Sequence, residues 1–172
     1  MKRARTRANA RRQPTPRCGS FLSVQGIQRI LRQAAREGAE RAARALAEES
    51  SVRLVFLFGS AAAVDGPAKV RDADLAVSID PPPEPDAWRR LEAQALRAAR
   101  VPLDLVLLHR ASVVLAREVA ATGVCLFART PEDELDFVVE ANRRYLDFKP
   151  LLAEQWKLSG ERAARRAHGH PA

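Results

Sequence analysis

The chain is short of the residues that most often mark a reactive centre: it has two cysteines, three histidines, one tyrosine and one methionine in 172 residues. Cys18 and Cys125 are too few for a disulfide framework, and neither has a histidine at metal-binding spacing. Cys125 lies in an apolar run and reads as a small core residue. His109 stands alone, and His168 and His170 fall at the C-terminal end. A thiolate nucleophile or a His/Cys metal centre is therefore not expected. No apolar run reaches the roughly 18–20 residues that cross a bilayer. Positive charge begins the chain, but no apolar segment precedes Phe21, so the start does not read as a secretory signal. The same Arg-rich start resembles a transit peptide in composition yet lacks a periodic apolar face. These absences together predict a cytoplasmic protein. Aromatics make up only 5% of a chain that is 47% hydrophobic, so the core is expected to be aliphatic and the helices rich in alanine.

Charge is abundant but unevenly placed. The net +8 conceals a strongly basic start, with seven basic residues and no acid in residues 1–20. Residues 157–172 carry +3, which leaves −2 for residues 21–156. The expected organisation is a basic tail over 1–20, one domain over 21–156 and a basic C-terminal tail over 157–172. Such tails either bind nucleic acid by neutralising phosphates or simply extend into solvent. The lack of aromatics among the basic residues before Phe21 favours solvent.

Hydrophobic periodicity divides the domain into alternating strands and helices. A helix is predicted from Val24 to about Glu49, weakened at Gly38. Val52–Phe58 is an almost unbroken apolar run, as in a strand buried on both faces. A short helical turn over Ala61–Val64, a strand over Ala73–Ile79, a helix over Asp86–Ala99 and a strand over Leu103–Leu108 follow. Ser112 is placed to cap a helix from Val113 to about Ala121, which Gly123 ends. Val124–Ala128 reads as a fourth strand. Thr130-Pro131-Glu132-Asp133 then starts a last helix that runs to about Leu152. The pattern predicts an α/β (α+β) domain with a small mixed central sheet and flanking helices.

The chemistry concentrates around the break after the first strand. Gly59 lets a phosphate approach the backbone, and Ser60 adds a hydroxyl donor. Eleven residues separate Ser60 from Asp72, and Asp72 and Asp74 point to one face of the following strand. Adjacent carboxylates repel, a penalty that a divalent cation removes, and their hard oxygens suit magnesium. Asp104, within Leu103-Asp-Leu-Val-Leu-Leu108, reads as a buried third acid. It is expected either to complete the metal site and take a proton from an attacking hydroxyl, or to pair with an arginine. Phosphoryl chemistry needs positioning and charge neutralisation more than a covalent nucleophile, which agrees with the scarcity of His and Cys.

Phe56-Leu-Phe-Gly-Ser60 with Asp72-Ala-Asp74-Leu-Ala-Val resembles the polymerase-beta-like nucleotidyltransferases. More narrowly, it resembles the minimal nucleotidyltransferases that act as antitoxins to HEPN-domain toxins, and Gly123–Phe127 and Tyr145–Pro150 look like the end of that family's domain. The resemblance covers about residues 24–152. It implies two magnesium ions, ATP as donor and transfer of AMP to a protein hydroxyl, typically a tyrosine of a HEPN-type toxin partner. Gly59 and Ser60 would hold phosphates, Asp72 and Asp74 metal, and Asp104 would be the third acid. The chain departs from the family at Ala61-Ala-Ala-Val64, where an arginine and a glycine are usual, and at Arg71, where a small hydroxyl residue is usual. It also has one residue more than usual before Asp72. Lys69 and Arg71 are expected either to touch the triphosphate in compensation or, as cations beside Asp72, to weaken metal binding. The alternative is a degenerate domain that masks a toxin or binds nucleic acid without catalysis.

Overall fold

The computed structural model describes residues 24–63 and 69–167. Four strands, β1 (Val52–Phe58), β2 (Ala73–Ile79), β3 (Leu103–Leu107) and β4 (Val124–Ala128), form one open sheet in the order β3-β2-β1-β4. β1 pairs antiparallel with both β2 and β4, and β2 pairs parallel with β3. The helices are α1 (Val24–Ala47), the single turn α2 (Gly59–Ala62), α3 (Pro85–Ala99), α4 (Val113–Thr122) and α5 (Pro131–Ala167). A short 3₁₀ turn over Leu108–Arg110 takes the last residue predicted for the third strand. Among the described residues, no helix is long and apolar enough to cross a membrane.

The sheet separates two apolar layers. On one face, Ala35, Ala39, Ala42 and Leu46 of α1 and Leu91, Ala95 and Ala99 of α3 pack against Val55, Leu57, Leu75, Val77 and Leu103. On the other, Val119 of α4 and Phe137 of α5 cover Leu54, Phe56, Phe58 and Ala76. β1 feeds both layers, which is why its sequence is apolar almost throughout. The register shifts between Val52 and Leu54. This irregularity turns Val52 to the α1/α3 face, and the Arg53 guanidinium donates to Asp133 of α5 at 2.8 Å.

The predicted helix ends hold in part. Ser112 caps α4 by accepting from the Leu115 N–H at 3.2 Å. At the start of α5, Thr130 Oγ1 accepts from the Asp133 N–H while Asp133 Oδ2 accepts from the Thr130 N–H, a reciprocal cap. α5 does not stop near Leu152; it passes Pro150 and reaches Ala167. Much of the segment expected as a C-terminal tail therefore lies in this helix, whereas the N-terminal tail over 1–20 lies outside the described residues. The apolar stripe of α1 also runs past the sheet, leaving Ile27, Ile30 and Leu31 exposed.

Gly38, expected only to weaken α1, is buried where α1 meets the end of α3. A Cβ there would overlap Val101 Cγ2 and stand 3.0 Å from the Ala99 carbonyl oxygen. The backbone approach needs glycine and outweighs its helix penalty. Gly38→Ala is accordingly expected to lower stability by about 1–3 kcal/mol, the usual result of overpacking, although alanine is the better helix former. A denaturant melt with an unchanged or raised midpoint would show that the contact yields freely.

Candidate active site

β1 leads directly into the site. Its last residue, Phe58, lies opposite Asp74 of β2 in the antiparallel ladder. Gly59 follows with φ +67°, a left-handed conformation that turns the chain out of the strand into α2. The Asp74 carboxylate is held against this turn: a Cβ on Gly59 would come within 2.6 Å of Asp74 Oδ2. Both the backbone conformation and the space therefore require glycine. Ser60 is half-buried in α2, whose backbone N–H groups have no partners within so short a helix.

The parallel pairing of β2 with β3 places Asp104 opposite Asp74, on the same side of the sheet. Asp72 immediately precedes β2 and is half-buried. Burial of Asp74, followed by the negative charges of Asp72 and Asp104, pushes the Asp74 carboxyl above its ordinary value. The structure thus brings the three acids to one corner of the sheet, with Asp74 between the other two charges. Asp104 itself is not buried. It is exposed on β3, the edge strand, because α4 and α5 cover the sheet around β1 and leave this corner open. The apolar neighbours Leu103 and Leu107 face the opposite layer. The alternative reading of Asp104, a pair with an arginine, is not found: none of the ion pairs among the described residues includes Asp72, Asp74 or Asp104.

Lys69 and Arg71 are exposed and take part in none of those ion pairs. Arg71 and Asp72 border an apolar cleft of about 70 Å³ between α1 and Pro102. Cys125 is half-buried; burial, then Glu134, pushes its thiol up to about 11, so it stays protonated and unreactive. Two contributions from α1 have no signal in the sequence. Arg36 donates to the carbonyls of Ala61, Ala62 and Ala63 at 2.8–3.1 Å, and Gln28 Oε1 accepts from the Val70 N–H at 3.1 Å.

Among the described residues, no three His, Cys, Asp or Glu side chains are gathered closely enough to enclose a metal ion. Magnesium is usually held by one or two carboxylates and completed by substrate phosphates and water, so it does not require such a group. Asp72 and Asp74 offer hard carboxylate oxygens of the kind magnesium takes, and the Asp74 carboxylate lies directly against the Gly59 turn.

An open sheet with paired carboxylates at the start of one strand and a glycine turn at the end of its neighbour is the arrangement of a nucleotidyltransferase fold. The family model described as "Polymerase beta, Nucleotidyltransferase" matches residues 40–132, a span that holds the turn and all three aspartates. The chain belongs to this family. Compared by sequence with curated proteins, it finds no match. Among solved structures, it is similar to a chain of the toxin–antitoxin MntA–HepT, at 25% identity over 72% of this chain and 95% of that one, with a TM-score of 0.55. A toxin–antitoxin structure with AMP-PNP gives 27% identity over 71% and 96% of the two chains, with a TM-score of 0.54. The structure of a tri-AMPylated Shewanella oneidensis HEPN toxin in complex with MNT antitoxin shares the fold, at 24% identity over 78% and 97% and a TM-score of 0.50.

The raised Asp74 carboxyl has a consequence for stability. In the folded chain it holds its proton more tightly than an unfolded aspartate, so metal-free stability falls as pH rises from 3.8 through the raised value. Above that range the group is a net cost to the fold. Asp74→Asn is therefore expected to raise the metal-free melting temperature; a rise on adding magnesium is expected for the wild type and not for this variant. A magnesium response that survives the substitution would remove Asp74 from the metal site.

Proposed function

We propose that the chain is a magnesium-dependent nucleotidyltransferase that transfers AMP from ATP to a tyrosine hydroxyl of a HEPN-type toxin and so acts as an antitoxin. The observation that carries this reading is the contact of the Gly59 turn with the Asp74 carboxylate, with Asp104 opposite. The similarity to MntA–HepT and to a toxin–antitoxin structure with AMP-PNP supports the partner and the nucleotide.

In this reading, Asp72 and Asp74 hold magnesium, which when bound neutralises the charge on the triphosphate. The Gly59–Ser60 turn orients the phosphates through its backbone N–H groups and the Ser60 hydroxyl. Lys69 and Arg71, both exposed beside Asp72, meet the outer phosphates. The acceptor hydroxyl attacks the α-phosphorus; the bond from that phosphorus to the oxygen bridging to the β-phosphate breaks, and pyrophosphate leaves. Asp104 takes the hydroxyl proton. Its exposure on the edge strand, at odds with the buried acid expected from sequence, lets a protein acceptor reach it.

Because Asp104 is exposed and outside the ion pairs, its replacement carries little structural cost. Asp104→Asn is expected to keep the wild-type melting temperature while transfer of labelled AMP to the toxin falls by about 10²–10⁴-fold. Transfer at the wild-type rate would exclude Asp104 as the base. Tight toxin binding by a wild type that transfers no AMP would instead identify a domain that only masks its partner.

A further inference from the structure

We propose that Arg36 is a positioning residue for the nucleotide site, acting with Gln28 to hold the phosphate turn and the paired carboxylates at a set separation along one helix. The inference rests on the nucleotidyltransferase reading above and assigns part of that site to α1.

α2 is one turn of four residues. A helix this short does not persist alone, since nucleation costs more than so few hydrogen bonds return. It must be held from outside. Arg36 Nε donates to the Ala61 carbonyl at 2.8 Å, and its Nη2 donates to Ala62 at 2.8 Å and Ala63 at 3.1 Å. These carbonyls end the same turn that Gly59 and Ser60 begin, so fixing them fixes the direction of the amide groups at its start. The guanidinium also places positive charge at the negative end of the turn.

Gln28 lies eight residues earlier on α1, about 12 Å along the axis at 1.5 Å per residue. Its side chain accepts from the N–H of Val70, two residues before Asp72. The chain thus leaves the phosphate turn fastened to α1 at Arg36 and enters the carboxylate strand fastened to the same helix at Gln28. Farther along, α1 is locked to the sheet by Ala35, Ala39, Ala42 and Leu46, each at most 5% exposed. Neither Arg36 nor Gln28 needs to touch the nucleotide; each acts through backbone that does.

The test compares wild type with Arg36→Met, Arg36→Lys and Gln28→Ala. It measures calorimetric affinity for Mg·ATP and steady-state AMP transfer, below the melting temperature of every variant. Arg36→Met keeps the aliphatic stem and loses every donor. It is expected to weaken nucleotide binding and lower kcat/KM by roughly 10–100-fold, the scale of a small misplacement of reacting groups. Arg36→Lys should recover part of that loss, and Gln28→Ala should fall between the wild type and Arg36→Met. Wild-type affinity and kcat/KM in folded Arg36→Met would overturn the proposal and leave Arg36 a stabilising contact only. If Arg36→Met does not fold, Arg36→Lys and Gln28→Ala decide by the same criterion. A wild type that binds no Mg·ATP would overturn the proposed function itself, a result distinct from variants that bind as well as a competent wild type.

Discussion

The site depends on one pairing, that of β1 with β2, which sets Phe58 opposite Asp74 and brings the Gly59 turn onto the Asp74 carboxylate. The pairing is specified by the core. Leu54, Phe56 and Phe58 fill one layer, and Val55 and Leu57 fill the other. A slip of one residue would exchange the two sets and expose both layers to misfit. The burial that stabilises the fold thereby also fixes where the glycine turn meets the acids. Gly59 has no substitute there, because its φ of +67° and the carboxylate beside it both exclude a side chain.

A second constraint is electrostatic. The three aspartates are brought together at the one corner of the sheet that α4 and α5 leave uncovered. The Asp74 carboxyl is pushed above its ordinary value, first by its own burial and then by the charges of Asp72 and Asp104. Ion pairs occur elsewhere, as between Arg53 and Asp133, but none neutralises this cluster among the described residues. Unrelieved repulsion between fixed carboxylates is costly to a fold, and a divalent cation with substrate phosphates relieves it. α1 contributes from the far side of the sheet, reaching the flanks of both the turn and the acid-bearing strand.

Much of this could be read from the amino acids because the strands are short, strongly apolar and bounded by glycine, proline or acid. β1, β2 and β4 fall where their composition puts them, as do the caps of α4 and α5. Strand order was not legible, and from that came the misplacement of Asp104: leucines on both sides suggest burial, yet in an edge strand they serve one face and the acid serves the other. The end of α5 was missed for a related reason. Periodicity reports burial rather than helix, and among the described side chains of α5 the last buried one is Leu152. Arg36 and Gln28 escaped notice because polar residues on an Ala-rich helix look solvated until the backbone they hold is in place. Gly38 was read as a weak point for want of its neighbour Val101.

The claim that unites these observations is that the paired carboxylates and the glycine turn bind one metal–nucleotide unit. Calorimetric titration of the wild-type chain with AMP-PNP, with and without magnesium, tests it most directly. The account predicts binding with magnesium, little binding without it, and loss of the magnesium-dependent part in Asp72→Asn. Equal affinity with and without the metal, or an Asp72→Asn variant that retains the magnesium effect, would contradict it.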